Sequence, residues 1–107
     1  MNDILTTVNK YLVKVSGSGI NLSEAILFGS WARGSATADS DIDVCIVSPI
    51  LGKDWIAETV NLRRLAFDID SRIEPMPFSP EDIADRFNPL AQEINRYGIR
   101  IKVPDAK

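Results

Sequence analysis

The sequence predicts an α/β (α+β) fold, in which a small mixed β-sheet is flanked by helices. Two observations carry this prediction. Short β-prone runs alternate with stretches of helical periodicity, in the order α-β-α-β-α-β-α-(α)-β. The composition, 45% hydrophobic and 25% charged over 107 residues, is that of one ordinary globular domain. We therefore expect a single domain over residues 1–107, with its helices on one side of the sheet.

The chain begins with a predicted helix and a predicted buried strand. Asp3 is a candidate cap for the helix, and the glycine-rich segment 17–21 ends it. Between those points, apolar residues recur at helical spacing: Ile4, Leu5, Val8, Leu12 and Val15. Residues 24–28 form a short apolar run that stops at Gly29, which is typical of a buried strand.

Four further elements follow in the middle of the chain. Ser30 is a candidate N-cap for one or two helical turns over residues 30–34. Residues 41–47 alternate in polarity and are rich in β-branched side chains, which predicts a strand. Residues 54–67 have helical periodicity, and residues 68–78 are a further strand candidate with two prolines near its end.

The last third of the chain predicts two short helices and an edge strand. Ser79 is the expected N-cap of the first helix, with Pro80 at its first position. The second helix is predicted over residues 89–98, where Gly98 closes it. Residues 99–103 are apolar and basic in alternation, which favours an edge strand.

Composition excludes several functional classes. The net charge of -3 and the pI near 4.8 argue against electrostatic binding to the DNA or RNA backbone over a large surface, so no direct nucleic-acid partner is expected. We expect no secretory signal, because the first twelve residues lack a basic segment followed by an apolar core. No apolar run approaches about 20 residues, and one cysteine cannot form an intrachain disulfide. We expect a cytoplasmic protein without a membrane segment. Because histidine is absent, any metal must be a hard cation held by carboxylates.

A Gly-Ser pair and an Asp-x-Asp pair form the motif that carries chemistry. Ten residues separate Gly29-Ser30 from Asp41 and Asp43. On a strand these two aspartates share a face, about 7 Å apart at a rise of ~3.3 Å per residue. Two such carboxylates repel each other unless a cation intervenes, and magnesium is suited to that role. A two-ion magnesium site, with ions about 3.5–4 Å apart, suits phosphoryl displacement.

The Gly-Ser turn is the predicted phosphate-binding half of the site. Gly29 lets the backbone approach a phosphate closely, and N–H groups at a helix start favour an anion. Ser30 adds a hydroxyl. Arg33, one helical turn further on, can neutralise a phosphate oxygen. The alternatives are a simple capped turn for Gly29-Ser30 and a solvated helix position for Arg33.

A third carboxylate is expected to complete the metal site. Asp68, Asp70 and Glu74 share a face if residues 68–78 form a regular strand. We prefer Glu74 to Asp70, because Glu74 lies in an apolar context where an unneeded acid is costly. The alternative is a strand-end acid that pairs with a nearby arginine, either Arg72 or Arg100.

Three other features have structural interpretations. Cys45 is expected to be a core residue on the side of the sheet away from the two aspartates. The Arg63-Arg64 pair is a solvated helix face, with partner binding as the alternative. Trp31 and Trp55 are expected in the core or at an interface.

The pattern G-S, ten residues, D-x-D resembles the polymerase-beta-like nucleotidyltransferase superfamily, over about residues 20–78. The small domain resembles its minimal nucleotidyltransferases, which are antitoxins paired with HEPN ribonuclease toxins. The resemblance implies a polymerase-beta-like fold and the binding of ATP at Gly29 and Ser30. It also implies magnesium at the catalytic carboxylates, which carry over to Asp41, Asp43 and Glu74.

The implied activity is transfer of AMP from ATP to a tyrosine hydroxyl of the toxin, within a hetero-oligomer. Two alternatives stay open. One is a nucleotide-binding antitoxin that blocks its partner sterically, with weak or no catalysis. The other is modification of a small molecule, although enzymes of that kind usually carry an additional domain for the acceptor.

Overall fold

A mixed four-stranded sheet forms the centre of the computed structural model, which describes residues 1–104 of the chain. The helices and strands occur in the predicted order. They are α1 (Asn2–Gly17), β1 (Glu24–Phe28), α2 (Ser30–Arg33), β2 (Ile42–Val47), α3 (Trp55–Ala66), β3 (Ile73–Phe78), α4 (Pro80–Ala84), α5 (Pro89–Tyr97) and β4 (Ile99–Ile101). The predicted α/β (α+β) class with a small mixed sheet is confirmed.

The strands lie in the order β3-β2-β1-β4. Strand β1 is antiparallel to both of its neighbours, whereas β2 and β3 are parallel and are connected through α3. Strand β3 is therefore an edge strand. This position explains how it contains Pro75 and Pro77, since an edge strand has one side on which no N–H is needed.

Helices cover both faces of the sheet, so the prediction of helices on one side is wrong. Helices α1 and α3 pack on one face in a first apolar cluster with Leu27, Val44 and other strand residues. Helices α4 and α5 pack on the opposite face in a second cluster that contains Ile26, Cys45 and Phe78. The physical reason is that β1 and β2 are apolar on both faces, and a strand of that kind needs cover on both sides.

Cys45 is buried, as expected, but it lies on the same side of the sheet as Asp43. The predicted side was wrong because residues two apart on a strand share a face. The face that carries Asp43 is therefore polar only at the start of β2, and becomes part of the second apolar cluster one step further along. Burial raises the pKa of the Cys45 thiol to about 12, so it stays protonated at neutral pH.

One of the three predicted helix N-caps is present, and two are wrong. Ser79 accepts from the Asp82 N–H and forms a capping box, as predicted, with Pro80 at the first helical position. Asp3 does not cap α1, because the helix begins one residue earlier and Asp3 lies in its first turn. Ser30 does not cap α2, because Gly29 takes the N-cap position.

Three predicted strands are shorter than expected. Strand β2 begins at Ile42, one residue later than predicted, so Asp41 lies immediately before the strand and not on it. Residues 68–72 form a turn, in which the Ile69 and Asp70 N–H groups both donate to the Ala66 carbonyl, so β3 begins only at Ile73. Strand β4 ends at Ile101. Within residues 1–104, no helix has the length and apolar character that a bilayer crossing requires.

Candidate active site

The Gly-Ser turn and the Asp-x-Asp pair meet at one end of the β1–β2 pair. Phe28, the last residue of β1, lies opposite Asp43 in the antiparallel register. Gly29 follows with φ 74° and ψ -151°, a conformation that is accessible almost only to glycine. A Cβ at Gly29 would lie less than 3.0 Å from Asp43 Oδ2 and 3.1 Å from its Cγ. The backbone of the turn therefore packs directly on the Asp43 carboxylate.

Ser30 begins a single helical turn beside this carboxylate. The Gly29 carbonyl accepts from the Arg33 N–H at 3.1 Å, and Gly34 ends the turn in a left-handed conformation. The Ser30 side chain is half-buried, and its hydroxyl makes no hydrogen bond within residues 1–104. That hydroxyl is available to a ligand.

The charges of two carboxylates act on a third at the start of β2. Asp41 is exposed immediately before the strand, and Asp43 is half-buried within it. Glu74 lies opposite Asp43 in the parallel register of β2 and β3. Burial, and then the charges of Asp41 and Glu74, raise the pKa of Asp43 to about 6. The structure thus places Glu74 opposite Asp43, with Asp41 close enough for its charge to act on Asp43.

Glu74 forms an ion pair with Arg63 of α3. The partners anticipated for a purely structural Glu74 are occupied elsewhere: Arg100 pairs with Glu24 at 3.1 Å, and Arg72 pairs with Asp70. In the part of the chain that the structure describes, no three acidic side chains are gathered closely enough to hold a metal ion. The charges of Asp41 and Glu74 act on Asp43, but the three carboxylates are not arranged as the ligands of one metal ion.

Asp70 is bound to Arg72 rather than directed at the site. Its carboxylate accepts from Arg72 Nε at 3.0 Å and Nη2 at 2.7 Å, which holds its pKa below the ordinary value. Arg72 Nη1 donates to the Ala38 carbonyl at 2.8 Å. This pair therefore anchors the loop that leads into Asp41, a supporting role that sequence reasoning missed. Asp70 and Arg72 are only two residues apart, but nothing in their spacing predicts the contact with Ala38.

Arg33 is directed toward α5. Its Nη2 lies 3.1 Å from Glu93 Oε2, and its guanidinium lies 5.1 Å from the centre of the Tyr97 ring. Both members of the ion pair are about half exposed, so the contact is weak and exchangeable. The predicted contact of Arg33 with phosphate stays a prediction.

Comparison with known proteins decides the family. The model of the nucleotidyltransferase domain family matches residues 8–96, which include the Gly-Ser turn and all three acids. This chain belongs to the nucleotidyltransferase domain family. Nucleotidyl transfer is accordingly the activity class that the family supports.

A solved structure has the same fold as this nucleotidyltransferase domain. It is a candidate nucleotidyltransferase from Sulfolobus solfataricus, with a TM-score of 0.64 and 18% sequence identity. The alignment covers 92% of this chain and 78% of that one. The similarity confirms the predicted nucleotidyltransferase-like fold. No match was found among the curated proteins.

The donor chemistry of the nucleotidyltransferase domain fits magnesium. Asp41, Asp43 and Glu74 offer only carboxylate oxygens, which are the hard ligands that this ion prefers. Burial makes the largest contribution to the raised pKa of Asp43, and the charges of Asp41 and Glu74 add to it. A divalent cation relieves the repulsion between these charges. In the metal-free structure, Glu74 is paired with Arg63 through Oε1.

We expect Asp43→Asn to stabilise the metal-free domain at neutral pH. The pKa of Asp43 is higher in the folded chain than its ordinary value, so the folded state loses stability as pH rises from about 4 to above 6. Asparagine carries no charge and avoids that loss. The rise in the pKa of Asp43 to about 6 sets an upper bound of about 3 kcal/mol on the gain in the free energy of unfolding. Half-exposure and solvent screening reduce the expected gain to about 1 kcal/mol.

Urea unfolding in the presence of a chelator, at pH 4 and pH 7.5, measures this gain. The difference between Asp43→Asn and the parent should be small at pH 4 and appear at pH 7.5. If Asp43→Asn and the parent were equally stable at pH 4 and at pH 7.5, the Asp43 carboxylate would carry no electrostatic cost.

Proposed function

We propose that this chain is a magnesium-dependent nucleotidyltransferase that transfers AMP from ATP to a tyrosine hydroxyl of a HEPN-domain toxin. It would act as the antitoxin of a cytoplasmic toxin–antitoxin pair. The observation that carries the proposal is the Gly29 turn packed on Asp43, with the charges of Asp41 and Glu74 acting on the same carboxylate. Family membership supports nucleotidyl transfer. ATP, AMP and the HEPN toxin rest on the resemblance of the motif.

Each site residue has a role in this proposal. Asp41, Asp43 and Glu74 would hold magnesium in a two-ion site, where it would neutralise phosphate charge and acidify the acceptor hydroxyl. The Gly29 backbone would allow close approach of the leaving phosphates, and the Ser30 hydroxyl would donate to them. Arg33 would exchange Glu93 for a phosphate oxygen, which its weak ion pair permits.

The proposed step is an in-line displacement at phosphorus. An electron pair of the tyrosine oxygen forms a bond to the α-phosphorus of ATP. The bond from the α-phosphorus to the oxygen that bridges to the β-phosphate breaks, and pyrophosphate departs with that electron pair. Because the chain contains no histidine, the hydroxyl proton passes to a carboxylate, and Glu74 is the residue proposed to accept it.

Exposure and charge support a protein acceptor. Asp41 is exposed and Asp43 is half-buried, so the acids are open to a side chain presented by a large molecule. The net charge of -3 disfavours a nucleic-acid acceptor. A tyrosine on a partner protein meets both conditions.

One observation favours a second function. Glu74 is paired with Arg63, and residues 1–104 contain no assembled three-acid ligand set. A chain that keeps this arrangement would hold a nucleotide with little catalysis. It would then neutralise the toxin by covering it, and the complex would form without covalent change.

Mass spectrometry of the toxin separates the two functions. The HEPN protein is incubated with this chain, ATP and magnesium, and a Tyr→Phe toxin serves as the matched acceptor control. We expect an AMP-sized mass gain on a tyrosine of the parent toxin and none at that position in the control. Full neutralisation without a mass gain would overturn the transferase proposal and leave steric block. Neither mass gain nor neutralisation would overturn both.

A further inference from the structure

An arginine from one side of the sheet reaches an acid on the other. Helix α3 packs on the face that carries the first apolar cluster, which includes Ile73 of β3. Glu74 is the next residue on that strand, so its register directs it to the opposite face, where its neighbour Met76 packs on the second cluster. Strand β3 is at the edge of the sheet. The Arg63–Glu74 ion pair therefore extends around a free sheet edge.

This ion pair involves Glu74, the one acid of the trio that lies on β3. Asp41 lies immediately before β2 and Asp43 lies within it, and backbone pairing with β1 and β3 fixes the position of Asp43. Glu74 faces Asp43 across the β2–β3 ladder, yet its carboxylate is bound to Arg63. Arg63 therefore competes with a cation for the Glu74 carboxylate.

We propose that Arg63 is a positioning residue that holds Glu74 away from Asp41 and Asp43 until a divalent cation binds. This inference rests on the proposed function, since it concerns the same metal site. In the metal-free state Arg63 offsets the charge of Glu74. When a cation binds, Glu74 leaves Arg63 and joins the two aspartates. Arg63 therefore stabilises the metal-free domain and weakens its affinity for the cation.

Exposure sets the size of the effect. The Arg63 and Glu74 side chains are 53% and 35% exposed, so the ion pair is partly screened and contributes little, as is typical of surface pairs. Breaking it should therefore change cation affinity by about two- to fivefold. The change should shrink as salt rises, because screening weakens the ion pair that competes with the cation.

The test measures binding of Mg²⁺ alone, without nucleotide, by calorimetry at constant ionic strength. Arg63→Gln should bind Mg²⁺ about two- to fivefold more tightly than the parent, and its free energy of unfolding in the presence of a chelator should be lower. Arg63→Lys should have a Mg²⁺ affinity and a free energy of unfolding closer to those of the parent. Arg64→Gln is the matched control, since Arg64 adjoins Arg63 and makes no ion pair within residues 1–104. A purely structural role would lower stability and leave Mg²⁺ affinity unchanged.

Two comparisons keep the outcomes distinct. Glu74→Gln should remove the effect, so that Glu74→Gln and Arg63→Gln/Glu74→Gln bind Mg²⁺ equally. Unchanged or weaker binding by Arg63→Gln, in a protein whose binding still requires Asp41 and Asp43, would overturn the role of Arg63 alone. If Asp41→Ala/Asp43→Ala binds Mg²⁺ as well as the parent, the metal site of the proposed function fails as well.

Discussion

Gly29→Ala is expected to lower the free energy of unfolding by about 3 kcal/mol and to abolish nucleotide binding. Two penalties coincide at this residue. Alanine is strained at φ 74° and ψ -151°, and its Cβ would lie less than 3.0 Å from Asp43 Oδ2. Relief of that clash requires the Asp43 carboxylate or the turn to move. Either movement separates the proposed phosphate-binding turn from the acids.

Gly34→Ala provides a matched control in the same short helix. Gly34 has φ 76°, close to that of Gly29, but no atom lies within 4 Å of a Cβ placed there. We expect this variant to cost about 1 kcal/mol and to leave nucleotide binding intact. Urea unfolding of both variants, together with nucleotide titration, measures the difference. Equal costs would show that the contact between Gly29 and Asp43 does not constrain the site.

Asp43→Asn is expected to lower the rate of nucleotidyl transfer by about 10²- to 10³-fold. The substitution keeps the size of the side chain and removes the charge beside the Gly29 turn. Asp41→Asn should have a similar effect, because it removes the other aspartate that is proposed to hold magnesium. Rates are measured under single turnover with saturating ATP and magnesium.

Asp68→Asn is the matched control for the loss of activity. Asp68 shares the acidic character of the site residues, but it is exposed and paired with Lys14 on the surface. Its removal should change the transfer rate by less than about twofold. Because Asp43→Asn is expected to gain stability at neutral pH, unfolding does not explain a lost rate. A parent-like rate in Asp43→Asn would exclude this carboxylate from the chemistry.

The part of the site that depends on local spacing could be predicted from the sequence. Gly29, Ser30, Asp41 and Asp43 belong to one short segment that runs from the end of β1 through α2 to the start of β2, and the structure packs the Gly29 turn on Asp43. The preference for Glu74 over Asp70 depended on the apolar context of Glu74. The structure places Glu74 opposite Asp43 and binds Asp70 to Arg72.

Contacts between distant elements could not be predicted in the same way. The pairing of Arg63 with Glu74 depends on how α3 packs and on β3 being at the sheet edge. The pairing of Arg33 with Glu93 depends on the position of α5, which covers the second face of the sheet. Periodicity identifies each helix but does not say which face it covers. The expectation of helices on one side failed for that reason.

Calorimetric titration of Mg²⁺-ATP into the parent and into Asp41→Ala/Asp43→Ala tests the central claim, that these two acids and the Gly29 turn form one nucleotide site. The parent should bind Mg²⁺-ATP with a defined stoichiometry, and the double variant should lose that binding while it remains folded. Asp68→Ala should bind as the parent does. Equal affinity of the double variant and the parent for Mg²⁺-ATP would contradict the account.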